Sequence, residues 1–233
     1  MSLIYVGIDE AGYGPMLGPL CVCASVFRVS GWSAGDGAPD LWGRMEKGVC
    51  RGVREARGRV AVADSKKLKL SNQLKRKHPL THLERGVLSF LGAAGQEAWD
   101  EAALCERVGA RFEAAPWYAD ASAELPVSTG ADQLRIASNL VRGAMNDGGV
   151  ELLGIRCLTV CEERFNALLG ARGSKAAVVG EGVTALMRSA LEKFGRAGAG
   201  VRHVCDRQSG RTDYGEMVRG VLGEGFDRLE ESA

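Results

Sequence analysis

Two adjacent carboxylates, Asp9 and Glu10, close the apolar run Leu3-Ile4-Tyr5-Val6-Gly7-Ile8 and precede the turn-forming stretch Gly12-Tyr13-Gly14-Pro15-Met16-Leu17-Gly18-Pro19. Carboxylate oxygens are hard anionic ligands, so the pair offers the beginnings of a site for a hard divalent cation. Side chains alternate along a strand, which sends Asp9 and Glu10 to opposite faces. The two can share an ion only if the backbone bends just beyond them, and Gly12 and Gly14 permit that bend. The same residues also suit a plain hairpin tip with two solvated acids, because Leu20-Cys21-Val22-Cys23-Ala24-Ser25-Val26-Phe27 follows as a partner strand.

A second chemical feature is cationic. Lys66, Lys67 and Lys69 with Lys75, Arg76 and Lys77 make a local basic cluster, and Arg207 and Arg211 flank a third acid, Asp206. Such a cluster reads either as a solvated face or as phosphate contacts. His78, His82 and His203 lack the spacing of a metal site, and His203 reads as a strand residue. Gly170-Ala171-Arg172-Gly173-Ser174-Lys175 lacks P-loop spacing and reads as a loop. Trp117-Tyr118 suits either base stacking or anchoring of a loop to the core, the second being favoured, and Trp99 reads as packing.

These residues need a scaffold, and the hydropathy pattern supplies one. Leu41, Met45, Val49 and Val53 recur every four residues and predict an amphipathic helix. Thr81 and Glu84 predict a capping box opening a helix through Val87, Leu88 and Leu91 to Gly92 or Gly95. Residues 96–112 carry another helical pattern, and 114–130 read as a loop or inserted excursion. Leu134, Ile136, Ala137, Leu140, Val141 and Met145 define a helix stopped at Asn146-Asp147-Gly148-Gly149. A strand is expected at 152–160, a short acidic helix from Glu162, a helix at 178–194, and a final strand that delivers Asp206. The order implies an α/β domain with a mixed central sheet and flanking helices.

At 233 residues, 45% hydrophobic, the chain is long enough for a substantial core. No apolar run reaches membrane-spanning length and the N-terminus lacks a secretory pattern, so no membrane association and a cytoplasmic location are expected. The seven cysteines form no paired C-x-x-C sets and read as reduced core residues, with Cys21 and Cys23 on one face of a strand. A net charge of +1 identifies no nucleic-acid binder by itself.

Residues 9–19 resemble the opening signature of the type 2 ribonucleases H (ribonucleases HII and HIII), DEAGRGPLAGP, with Tyr13 in place of the family arginine and Met16-Leu17 in place of Leu-Ala. The family motif DSKKL stands unaltered at Asp64-Ser65-Lys66-Lys67-Leu68, and Val201-Arg202-His203-Val204-Cys205-Asp206-Arg207 resembles the family strand that ends in a carboxylate. The resemblance spans residues 3–206 and implies a ribonuclease H-like fold with the first and last strands side by side. It implies a metal-dependent endonuclease that hydrolyses the RNA strand of RNA–DNA hybrids. Asp9, Glu10 and Asp206 would be its catalytic residues and its ligands to Mg²⁺ or Mn²⁺, Asp9 bridging two ions. The amides of Gly12, Tyr13 and Gly14 would sense the 2′-hydroxyl, and Ser65, Lys66, Lys67 and Arg207 would bind the substrate. The family's fourth carboxylate follows an Ala-Ala-Ser-like run that does not occur here, which leaves Asp213 or Glu216 as substitutes and predicts an impaired site. One domain over 1–233, with a helical insertion at about 70–150 and a missing C-terminal part, is expected. A non-catalytic nucleic-acid-binding relative and a nuclease for DNA junctions are the alternatives.

Overall fold

The computed structural model describes residues 1–11, 18–75, 77–113, 115–119, 122–195, 199–206 and 214–223. In chain order the elements are β1 (Ser2–Ala11), β2 (Leu20–Ser30), α1 (Leu41–Arg44), β3 (Val49–Cys50), β4 (Val60–Ala61), α2 (Ser65–Leu68), α3 (Thr81–Ala93), α4 (Glu101–Val108), α5 (Ala131–Gly148), β5 (Val150–Val160), α6 (Glu162–Arg172), α7 (Lys175–Phe194), β6 (Gly200–Cys205) and α8 (Gly215–Leu222), with 3₁₀ turns at Val53–Glu55 and Pro116–Tyr118.

The main sheet has the order β5-β2-β1-β6. β1 pairs antiparallel with β2, and β2 antiparallel with β5, whereas β6 returns parallel to β1 after the α7 crossover. The fold is therefore α/β, with a mixed four-stranded sheet flanked by helices. β1 and β6 lie side by side, as expected.

Alternation along the strands decides which face is buried where. Ile4, Val6 and Ile8 with Val22, Ala24 and Val26 pack against Val179, Val183 and Leu186 of α7. Burying each such side chain contributes on the order of 1.5–3 kcal/mol relative to leaving it in water. On the other face, Phe27, Val150 and Leu152 pack against Phe90 of α3 and Val141 and Met145 of α5. The Phe27 and Phe90 rings meet edge to face at 5.9 Å. That second core covers the end of the sheet remote from Asp9. Toward the Asp9 end the same face is only partly covered, by α4.

Four local expectations are corrected. Residues 41–53 are not one helix: α1 ends after Arg44, and Val49 and Cys50 pair with Val60 and Ala61 in a two-stranded sheet. Met45 and Val49 are buried as their spacing requires, but in a turn and a strand. Gly48 sits so close to α5 that a Cβ there would lie 2.6 Å from Ala144 Cβ and 2.8 Å from Leu140 O. The capping box at Thr81 and Glu84 does not form either. Glu84 instead accepts hydrogen bonds from Val127 N, Ser128 N at 3.0 Å and Ser128 Oγ, pinning the distant loop to α3. On α5, Ile136 is 69% exposed and so takes no part in the buried stripe. The helical pattern at 96–112 narrows to α4, capped by Asp100 at Ala103 N (2.7 Å) and stopped by the left-handed Gly109.

Candidate active site

Parallel pairing sets Ile8 of β1 beside Cys205 of β6. The next residues, Asp9 within β1 and Asp206 just past β6, therefore stand at the same edge and are both exposed. Across β2, Asp9 faces Cys23 and Glu10 faces Val22, so the two acids do point to opposite faces of a strand that continues through Ala11. Glu10 shares the α7 face with Ile8 and Val22, and its amide donates to Asp9 Oδ1 at 2.8 Å.

Glu10 feels the other two carboxylates. Partial burial raises the Glu10 carboxyl above its ordinary value, and the neighbouring charges of Asp9 and then Asp206 raise it further. Burial likewise raises the Cys205 thiol, with Asp206 and Glu10 adding to the effect. Among the described residues no group of three or more His, Cys, Asp or Glu side chains is gathered tightly enough to hold a metal ion. The chemistry of the donor set would suit a hard divalent cation: three carboxylates lie at one edge, and Glu10, raised first by burial, is raised further by the other two. Gly12, Tyr13, Gly14 and Arg207 lie outside the described residues, as do Asp213, Arg76 and Arg211.

The DSKKL segment is built by capping. Asp64 accepts from Lys66 N at 2.7 Å and starts α2, while Leu68 is buried with Cys50 and Ala61. Ser65, Lys66 and Lys67 are left exposed, as are Lys69, Lys75 and Lys77. α2 packs on α3 and the β3–β4 pair, so these cations belong to the excursion between β2 and β5 and not to the strands that carry the acids.

Sequence reasoning missed Glu162. β5 ends at the carboxylate edge, where Val160 pairs with Leu20, and Glu162 opens α6 just beyond it. Its carboxylate is held below its usual range by its own amide, by the Tyr118 hydroxyl (2.9 Å), by Gly18 and by Trp117. Of the pair expected to anchor the loop, Tyr118 reaches Glu162 while Trp117 is 67% exposed, set edgewise on Tyr118, which in turn meets Phe112 at 5.0 Å. The only sequence signal for this arrangement was the aromatic pair itself. Glu216 lies exposed in the first turn of α8, which packs on α7. Trp99 lies outside α4 and is partly exposed, beneath the Arg135 guanidinium at 5.2 Å. His203, on β6, has both ring nitrogens buried with no hydrogen-bond partner among the described residues, and burial lowers it to about 4.

The cysteine expectation is also corrected. Cys50 and Cys161 are buried, but Cys21, Cys23, Cys105 and Cys157 are only partly so and Cys205 is exposed. The back face of β2 and β5 near Asp9 is lined by thiols that no single stretch of sequence juxtaposes. No protein-family model, curated protein or solved structure matches the chain. No helix among the described residues is long and apolar enough to cross a membrane.

Proposed function

We propose that the protein is a divalent-metal-dependent endonuclease of the type 2 ribonuclease H kind, cleaving the RNA strand of RNA–DNA hybrids. One observation carries the reading: Asp9 and Glu10 near the end of β1 and Asp206 just past the adjoining parallel strand lie at one edge, where Glu10, raised first by burial, is raised further by the other two. The DEAG-Tyr-GP stretch and the intact DSKKL motif support the same reading from the sequence.

Asp9, Glu10 and Asp206 would hold Mg²⁺ or Mn²⁺. When bound, such ions supply an activated water and charge stabilisation at the leaving oxygen of a phosphodiester. The protein's part is to hold two anions on β1 and a third directly after the adjoining strand, so that their placement is set by backbone pairing. Asp9 and Glu10 point to opposite faces of β1, which accounts for carboxylates that stand at one edge without closing on a common point. The exposed lysines of α2 would contact phosphates on a longer duplex, independent of its sequence. The hybrid would be told from DNA by the amides of Gly12, Tyr13 and Gly14.

A second reading, a relative that binds hybrids without cutting them, draws on the same ungathered carboxylates. Incubating the protein with a labelled RNA–DNA hybrid, all-RNA duplex and all-DNA duplex in Mg²⁺ or Mn²⁺ separates the two. Cleavage confined to the RNA strand of the hybrid is the expected result. Binding without cleavage in either metal selects the second reading, and cleavage indifferent to ribose rejects both.

A further inference from the structure

Four of the seven cysteines converge on the sheet face opposite α7. Cys23 of β2 stands directly across from Cys157 of β5, and Cys21 lies two residues along β2 on the same face. The Cys157 thiol lies close enough to those of Cys21 and Cys23 for each to influence the other's ionisation. Cys105, from α4 packed on β5, is close enough to interact electrostatically with Cys21 and Cys157. All four are partly exposed.

Direct opposition is what a disulfide requires. Opposed residues on antiparallel strands have Cα atoms about 4.5 or 5.5 Å apart, and both values fall inside the roughly 4.4–6.8 Å range that disulfides span. Cys21 and Cys23, on one strand, point the same way but are set apart by the full two-residue repeat of about 6.8 Å, at the limit of that range. Cys23 and Cys157 are thus the pair that can join without moving the backbone. A structural soft-metal site is the competing use of clustered thiols, and these are not gathered tightly enough to hold an ion.

We propose that Cys23 and Cys157 form a reversible dithiol site oxidised by hydroperoxides, with Cys21 as a third sulfur to which the bond can exchange. In the first step the Cys23 sulfur attacks the terminal peroxide oxygen. The O–O bond breaks, an alcohol (or water, from hydrogen peroxide) leaves, and Cys23 becomes a sulfenic acid. The Cys157 sulfur then displaces hydroxide from Cys23, the S–S bond forms and one water is released. Two thiols give up two electrons and the peroxide takes them up. The exchange step follows from Cys21 standing two residues from Cys23 on the same face of β2, diagonally across from Cys157.

The site is independent of any nuclease activity, although Cys23 is also the cross-strand partner of Asp9. The test is direct chemistry on the whole chain. Protein is treated with a few equivalents of hydrogen peroxide, alkylated under denaturing conditions, digested without reduction and mapped by mass. The expected product is a peptide pair joining Cys157 to Cys23, or to Cys21 after exchange, lighter by two hydrogens and abolished by dithiothreitol, in most molecules. Cys50 and Cys161 stay fully alkylatable. Cys157→Ser should remove the link and leave Cys23 as a trapped sulfenic acid that a dimedone probe captures. The proposal is overturned if Cys23 and Cys157 remain alkylatable after peroxide, if oxidation passes to sulfinic acids without a cross-link, or if the link that forms involves other cysteines.

Discussion

Asp9 and Asp206 each stand one residue beyond the Ile8–Cys205 pair, the point at which the parallel pairing of β1 and β6 ends, so the two acids lie at one level of the sheet edge. If that relation is a nuclease centre, Asp9→Asn and Asp206→Asn should each lower hybrid cleavage by about a hundredfold or more, the scale of losing one charge-stabilising group in a transition state. Hybrid binding, titrated in Ca²⁺, should stay within a few-fold of the parent. Near-parental cleavage by either variant removes that residue from the site.

Glu10 gives a prediction on stability. Its folded carboxyl is raised above the unfolded value, so the stability attached to its neutral form is present at low pH and is lost as pH rises through the folded value. At neutral pH and without metal, Glu10→Gln should therefore raise the melting temperature, and the gain should vanish below the ordinary carboxylate range. Added Mg²⁺ should stabilise the parent more than the variant. A variant less stable than the parent at pH 7 would mean that Glu10 is not held against its neighbours' charge.

The lysines of α2 are tested by salt. Because each phosphate contact contributes about one unit to the log–log dependence of affinity on salt, Lys66→Ala combined with Lys67→Ala should flatten the slope for hybrid binding by roughly two. An unchanged slope assigns the two cations to solvent.

His203 is buried with neither ring nitrogen bonded among the described residues, and its folded value is depressed to about 4 from 6.5. The unfolded chain then binds more protons between those two values, so this group withdraws stability as pH falls from about 6.5 to about 4, by at most about 3 kcal/mol. His203→Leu should lose this component, which denaturant titrations of parent and variant at pH 7 and pH 4.5 will resolve. Parallel losses in both proteins would show that the acid sensitivity lies elsewhere.

Gly48 tests the excursion. A methyl group there meets Ala144 and the Leu140 carbonyl of α5 well inside contact distance, so Gly48→Ala should cost about 1–3 kcal/mol by overpacking. Measured in the same denaturant titration, a neutral effect would mean that α5 shifts freely.

What could be read from the sequence follows from how locally each feature is determined. β1, β2 and β5 are long apolar runs rich in branched residues, and α5 and α7 carry repeats long enough to fix their period. β3 and β4 are two residues each and hold only because they pair across ten positions, so no window over Leu41, Met45, Val49 and Val53 distinguishes them from a helix. Glu84 had a local role on offer and took a distant one. Asp9, Glu10 and Asp206 were legible as acids ending strands, and their meeting depended on the parallel β1–β6 register. The Tyr118–Glu162 contact and the Cys23–Cys157 pairing arise from residues more than forty positions apart, which no spacing rule connects.

At the opposite end of the sheet, Ser30 N donates to Gly149 O at 2.8 Å, so the long excursion departs from β2 and rejoins β5 at a single point. To the sheet it is a hairpin turn that happens to be very long, and lengthening such a connection adds closure entropy only logarithmically. Its root lies far from the acids, yet Arg111 N and Glu113 N reach back to Thr159 (3.2 Å) and Cys161 (3.3 Å) beside them. Residues 31–149 are therefore a graft on a four-stranded stock: rooted on β2 and β5 at one point, yet supplying the whole second core that covers Phe27, Val150 and Leu152.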